Sequence, residues 1–296
     1  MFKPCFDIST FFYSFEKIFK LSNHYENPWE NEDNIIWENP INMDMFNEQN
    51  PMKTQSYRIS TGIQRLDELL SGGLPTNSVT LISGTPGSGK TIMCYHYIQE
   101  GLNNGEKCLY LTSDERVENI CKQAGELGFN FKQYVESDFL KFLYLDVEQS
   151  DMFIAMEEEV RTGGYNRIVL DSITPIVEVP LWVSNGINEI IPSFDSSKST
   201  KKYPAGSTPA TRMHVRHLIN LLNKVSCTVL ITSEIPEGSR SLSRDTISEF
   251  MVDGIILMDL DISMNRRKLT VRKMRATKHT LKPQDITITS GGIQFL

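Results

Sequence analysis

VTLISGTPGSGKTIMCYHYIQEGL, Val79 to Leu102, decides the fold. Five residues that suit a buried strand come first, and an apolar helical pattern comes last. Between them Gly84-Thr85-Pro86-Gly87-Ser88-Gly89-Lys90-Thr91 fits G-x-x-x-x-G-K-[ST] in the strand–turn–helix setting that gives the pattern meaning. Glycines let successive backbone N–H groups turn inward around phosphate oxygens, and the helix N-terminus adds partial positive charge. Lys90 is expected on the β and γ phosphates and the Thr91 hydroxyl on Mg²⁺. A Lys-Thr pair has no packing reason to stand in such a turn.

Outward from this unit, short apolar runs alternate with helical patterns. CLYLTS (108–113), FLYLDV (142–147), RIVLDS (167–172), TVLITSE (228–234), GIILMDL (254–260), KLTVRKM (268–274) and ITIT (286–289) read as strands. This alternation predicts an α/β fold: a mainly parallel twisted sheet flanked by helices, with antiparallel strands at the C-terminal end. No internal repeat is present, so one copy of the domain is expected.

Strand ends supply further candidates. Asp171 closes an apolar strand, the usual way to present a carboxylate to a nucleotide-bound metal. Asp114 and Glu115 close the strand after the glycine-rich turn. Either is placed to accept a proton from water, and the same pair could cap the following helix. Ser233, near the end of TVLITSE, is a candidate γ-phosphate sensor. His214 and His217 share a helical face without a third ligand nearby in sequence, so a surface pair is expected there.

Composition narrows the class. Hydrophobic residues make up 40% of the 296, enough for a sizeable core. A net charge of −7 argues against non-specific adhesion to nucleic acid or membrane. The five cysteines are scattered without a CxxC pair, as reduced thiols of a cytoplasmic protein would be. No apolar run approaches the ~18 residues of a membrane span, and the N-terminus does not read as a signal peptide. Residues 1–56 hold nine acidic and four basic side chains with clustered aromatics. They read as a partly disordered extension with one short amphipathic helix over Ser9 to Leu21, suited to docking an unidentified protein partner.

One stretch runs against the acidic whole. VRKMRATKH, Val271 to His279, concentrates cations in a region from Ile262 to Gln284 that has no carboxylate. Alternation along the strand puts Lys273 and Arg275 on one face and Met274 on the other.

Ser60-Thr-Gly-Ile-Gln-Arg-Leu-Asp67-Glu-Leu-Leu-Ser-Gly72-Gly73-Leu-Pro75, the Gly84–Thr91 turn, the Asp114-Glu115 strand end and KMRATKH occur in that order. Together they resemble the RecA-superfamily ATPases of the KaiC-like branch, over roughly Tyr57 to Phe295. Single-domain archaeal-type members are the most similar kind. The resemblance implies a RecA-type P-loop NTPase core over 57–296, ATP with Mg²⁺, and a homo-oligomer, a hexameric ring foremost, with nucleotides between subunits. It puts the water-activating base at Asp114 or Glu115, where the family has Glu-Glu. It also implies that Lys273 and Arg275 project into the ATP site of the neighbouring subunit.

Departures shape the expected function. Glu249 and Phe250 occupy the positions where tandem-domain clock members carry phosphorylated Ser and Thr, which argues against autophosphorylation. The segment 180–209 reads as an inserted loop. Its Lys198, Lys201, Lys202 and Tyr203 would suit single-stranded DNA in a ring's pore. The expectation is a ring-forming, ATP-hydrolysing regulator. A DNA-dependent recombinase or recombination mediator is the alternative.

Overall fold

The structure is a computed structural model that describes residues 57–147, 152–178, 182–183, 190–191, 208–209 and 211–296. The helix expected over Ser9 to Leu21, Cys5, and Lys198, Lys201, Lys202 and Tyr203 lie outside the described residues.

A nine-stranded sheet forms the centre, in the order β14-β13-β12-β11-β3-β10-β6-β4-β5. Strands β3 (Val79–Gly84), β4 (Cys108–Thr112), β5 (Leu140–Tyr144), β6 (Arg167–Asp171), β10 (Thr228–Glu234) and β11 (Gly254–Asp261) pair in parallel. From β11 onward, β12 (Arg266–Met274), β13 (Gln284–Thr289) and β14 (Gly292–Phe295) pair antiparallel. Every residue of β3 and β4 is buried, which follows from covering both faces of a parallel sheet.

Alternate side chains feed two cores. Ile82, Tyr110, Val169, Leu230 and Ile256 pack with Met93, Tyr97 and Ile98 of helix α2 (Lys90–Asn103). Leu81, Leu109, Leu170 and Ile231 pack with Met156 of α5 (Met152–Thr162) and with Leu218 and Leu222 of α7 (Thr211–Lys224). A small antiparallel pair, β1 (Arg58–Ile59) with β2 (Leu74–Pro75), stands outside this sheet. Within 180–209, which reads as loop from its composition, the described residues form a three-stranded sheet: β7 (Trp182–Val183) between β8 (Ile190–Ile191) and β9 (Thr208–Pro209).

Parallel pairing gives the functional consequence. β3, β4, β6 and β10 all end at one edge of the sheet, and register aligns those ends. Thr112 lies beside Asp171, and Glu234 lies beside Gly84. β12 runs the other way. Its end, Met274, pairs with Gly254 at the start of β11, and Gly254 pairs with Thr80 near the start of β3. Lys273 and Arg275 therefore stand at the opposite edge from Gly84, with the length of β3 between them, at roughly 3.3 Å per residue.

Candidate nucleotide site

The turn after β3 is shaped by close backbone approach. A Cβ on Gly84 would stand 2.3 Å from the Met258 carbonyl oxygen. Gly89, which caps α2, has φ 106°, a conformation that side chains disfavour. Lys90 is buried. Its Nζ donates to Gly84 O at 3.0 Å and Thr85 O at 3.2 Å. Burial lowers its pKa, while Glu234, Asp171 and Asp114 oppose that shift and favour the charged form. Thr85 Oγ1 and Ser88 Oγ are buried without a hydrogen-bond partner. Such orphans carry a cost that an anion with several acceptor oxygens would relieve.

Beside this turn opens a cavity of about 560 Å³. Its lining includes Pro86, Gly87, Gly89, Lys90 and Thr91 of the turn together with the carboxylates Asp114, Glu115, Asp171, Glu178 and Glu234. Asp171 is held on both oxygens. Tyr110 Oη donates to Oδ2 at 2.7 Å, and Thr232 Oγ1 donates to Oδ1. One carboxylate and the Thr91 hydroxyl are a sparse donor set, and no cluster of three or more metal-binding side chains occurs among the described residues. That fits Mg²⁺, which keeps waters and binds through one or two carboxylates plus phosphate oxygens. His217 Nε2 lies 3.8 Å from Glu157 Oε2.

The geometry separates Asp114 from Glu115. Ser172 Oγ donates to Asp114 Oδ2 at 2.8 Å, and Ser172 is itself positioned by Ser113 Oγ on its carbonyl. Partial burial raises the Asp114 pKa. The Ser172 hydrogen bond opposes this, and Asp171 and Glu234 add to the rise. Glu115 Oε1 instead accepts from Gln123 Nε2 at 2.5 Å, on α3 (Val117–Glu126).

Ser233 is placed elsewhere. It is fully buried and accepts from Arg244 N at 3.1 Å, and it does not line the cavity. Along β10 it points to the face opposite Thr232 and Glu234, the two residues that reach the site.

Lys273 and Arg275 do not line the cavity of their own chain. Lys273 Nζ donates to Val252 O at 2.6 Å and Glu249 O at 3.3 Å. Arg275 Nη1 donates to Asp253 Oδ1 at 2.8 Å. Met274 is buried between them, as the alternation requires. The β12 cation that does reach the chain's own turn is Arg267, whose Nε donates to Gly87 O at 3.2 Å. Sequence reasoning missed Arg267, Glu178 and Tyr110, while Thr232, Glu234 and Ser172 stand in stretches the sequence had marked but were not chosen as site residues. For Thr232 and Glu234, strand period relative to Ser233 was the usable signal.

The family model described as "ATPase: KaiC" matches residues 59–181 and 193–296. The chain belongs to the KaiC ATPase family. A UPF0273 protein of Methanopyrus kandleri is 30% identical over 245 residues, covering 80% of this chain and 91% of the relative. The circadian clock oscillator protein KaiC of Parasynechococcus marenigrum is 25% identical, over 81% of this chain but only 45% of that longer protein. The crystal structure of a KaiC-like protein from Pyrococcus horikoshii superposes with TM-score 0.65 at 26% identity, covering 81% of this chain and 99% of that one. Among the described residues no helix is long and apolar enough to cross a membrane.

Proposed function

We propose that this KaiC-family chain hydrolyses ATP to ADP and phosphate at the Gly84–Thr91 turn, in an assembly where each site is completed by a second copy. The observation that carries the reading is the buried Lys90 ammonium. It is parked on Gly84 O and Thr85 O, beside the orphaned hydroxyls of Thr85 and Ser88. Backbone N–H groups of the turn and Lys90 would hold the β and γ phosphates. Thr91 and Asp171 would hold Mg²⁺, which neutralises charge on the phosphate oxygens when bound.

Asp114 is the proposed base. Its Oδ2 is fixed by Ser172, leaving Oδ1 to take a proton from water. Its raised pKa makes it a stronger proton acceptor than an ordinary aspartate. Glu115 is turned toward Gln123 and would support the turn.

Lys273 and Arg275 are proposed to serve the neighbouring copy. An ammonium has three donors and a guanidinium five, so the bonds to Val252, Glu249 and Asp253 orient both groups and leave donors outward. Charge agrees, since among the described residues the cavity lining carries five carboxylate residues and Lys90 as its one cation. A ring, hexameric by family resemblance, would let ATP occupancy control a partner docked on residues 1–56.

Phosphate release by the purified full chain with ATP and Mg²⁺ tests the reading, with Lys90→Ala as control. Release no faster than in that control overturns it.

A further inference from the structure

Helix α8 (Ser248–Met251) and the loop before it lie between the two halves of the proposed mechanism. On one side, Glu249 O and Val252 O hold the Lys273 ammonium. Asp253, one residue on, holds Arg275. On the other side, the Glu249 carboxylate is a clasp: Oε2 accepts from Leu242 N at 2.6 Å and from Ser243 Oγ at 3.1 Å. The clasped loop is itself tied to the nucleotide edge. Arg244 Nε donates to Glu178 Oε1 at 2.8 Å, and Glu178 lines the cavity. Arg244 N donates to Ser233 Oγ at 3.1 Å, and Ser83 Oγ, beside Gly84, donates to Leu242 O. Asp245 closes the start of α8 by accepting from Ile247 N at 2.7 Å and Ser248 N at 2.6 Å.

We propose that Glu249 is a positioning residue for the cation-bearing edge of the subunit. Its carboxylate fixes α8 against the Leu242–Arg244 loop and so aims the Lys273 and Arg275 that this copy delivers to its neighbour. The inference rests on the between-subunit reading above. Val252 is buried in the core and Asp253 is bonded to Val79 of β3, so the Val252 carbonyl is fixed from that side. The Glu249 carbonyl sits on a four-residue helix with no rigidity of its own, and its place depends on what clasps that helix. Removing the clasp leaves Lys273 and Arg275 present but misaimed, and a displacement near 1 Å can cost on the order of 100-fold in rate.

Mixed assemblies of full-length chains separate the roles. In the reference mixture, Lys90→Ala copies lend their cations to Arg275→Ala copies, which keep an intact turn. Adding Glu249→Ala to the Lys90→Ala copies should lower phosphate release about 10- to 100-fold. Adding it to the Arg275→Ala copies should change release less than about 3-fold. Equal losses in both arrangements mean ordinary structural damage, and no loss in the first arrangement means no aiming role; either overturns the proposal. A reference mixture that co-assembles yet stays inactive removes the between-subunit reading, and this inference with it. ATP binding by Glu249→Ala alone reports that it folds. If it does not fold, Ser243→Ala removes one of the two clasping bonds and should give a smaller loss of the same one-sided kind. Its absence there is equally decisive against the proposal.

Discussion

Ser172 Oγ donates to Asp114 Oδ2 at 2.8 Å, so the residue after Asp171 steadies a second carboxylate at the same cavity. Asp114→Asn should therefore bind ATP normally and release phosphate at least ~100-fold more slowly. Glu115→Gln should retain most of its turnover. The opposite ranking would move the base to Glu115. The rate should also fall on acidification through a pKa above the ordinary aspartate value, because only the deprotonated Asp114 can accept a proton.

Lys90→Ala should lose both tight ATP binding and hydrolysis. Among the described residues its ammonium is the one side-chain cation lining the cavity. Fluorescent-nucleotide titration and phosphate release should fail together. Retained hydrolysis would place the chemistry elsewhere.

Arg275→Ala should bind ATP and turn it over roughly 10³-fold more slowly or worse, the range of a lost arginine finger. Wild-type specific activity should climb with protein concentration as copies assemble. Activity that is flat across a range where sedimentation shows assembly would confine the site to one chain.

His96 predicts acid sensitivity of stability. Its Nε2 accepts from Ile293 N at 2.8 Å, which requires the neutral ring, and burial pushes its pKa down from 6.5 to about 4. Below 6.5 the unfolded chain takes a proton that the folded chain refuses until about 4. Stability should thus decline as pH falls through that window, with the full loss reached below it. At about 1.4 kcal/mol per unit, the loss is on the order of 3 kcal/mol. Urea unfolding across the window should show this slope, and His96→Asn should flatten it. An unchanged slope in the variant would assign the effect to other groups.

Much of the sheet was legible because strand and helix periods are local properties. VTLIS through ITIT each fall on a strand of the nine-stranded sheet, in which the terminal GIQF was overlooked, being four residues after a tight turn. The two-residue strands β1, β2, β7, β8 and β9 were overlooked as well, being too short to show alternation. The glycine-rich turn was legible for the same reason. Pairings across the sheet were not. The bonds from Tyr110 and Thr232 to Asp171 arise because β6 lies between β4 and β10, an order that one strand's pattern does not encode. Ser233 was misplaced by one residue, and one residue reverses the face of a strand. The partners of Lys273 and Arg275 stand about twenty positions away in sequence, on a helix too short to show any period and on the two residues that follow it.

The reversal of direction at β12 has a consequence for counting. With cations at one edge of the sheet and the phosphate-binding turn at the other, any contact that joins them is head-to-tail, and an open row of copies has two unlike ends. One end carries a cavity with no donor, and the other carries a donor with no cavity. On the between-subunit reading, a row of n copies would hold n − 1 finished sites. Closing it into a ring would finish the last one without adding a copy, so closure itself would be rewarded by one more site able to turn ATP over.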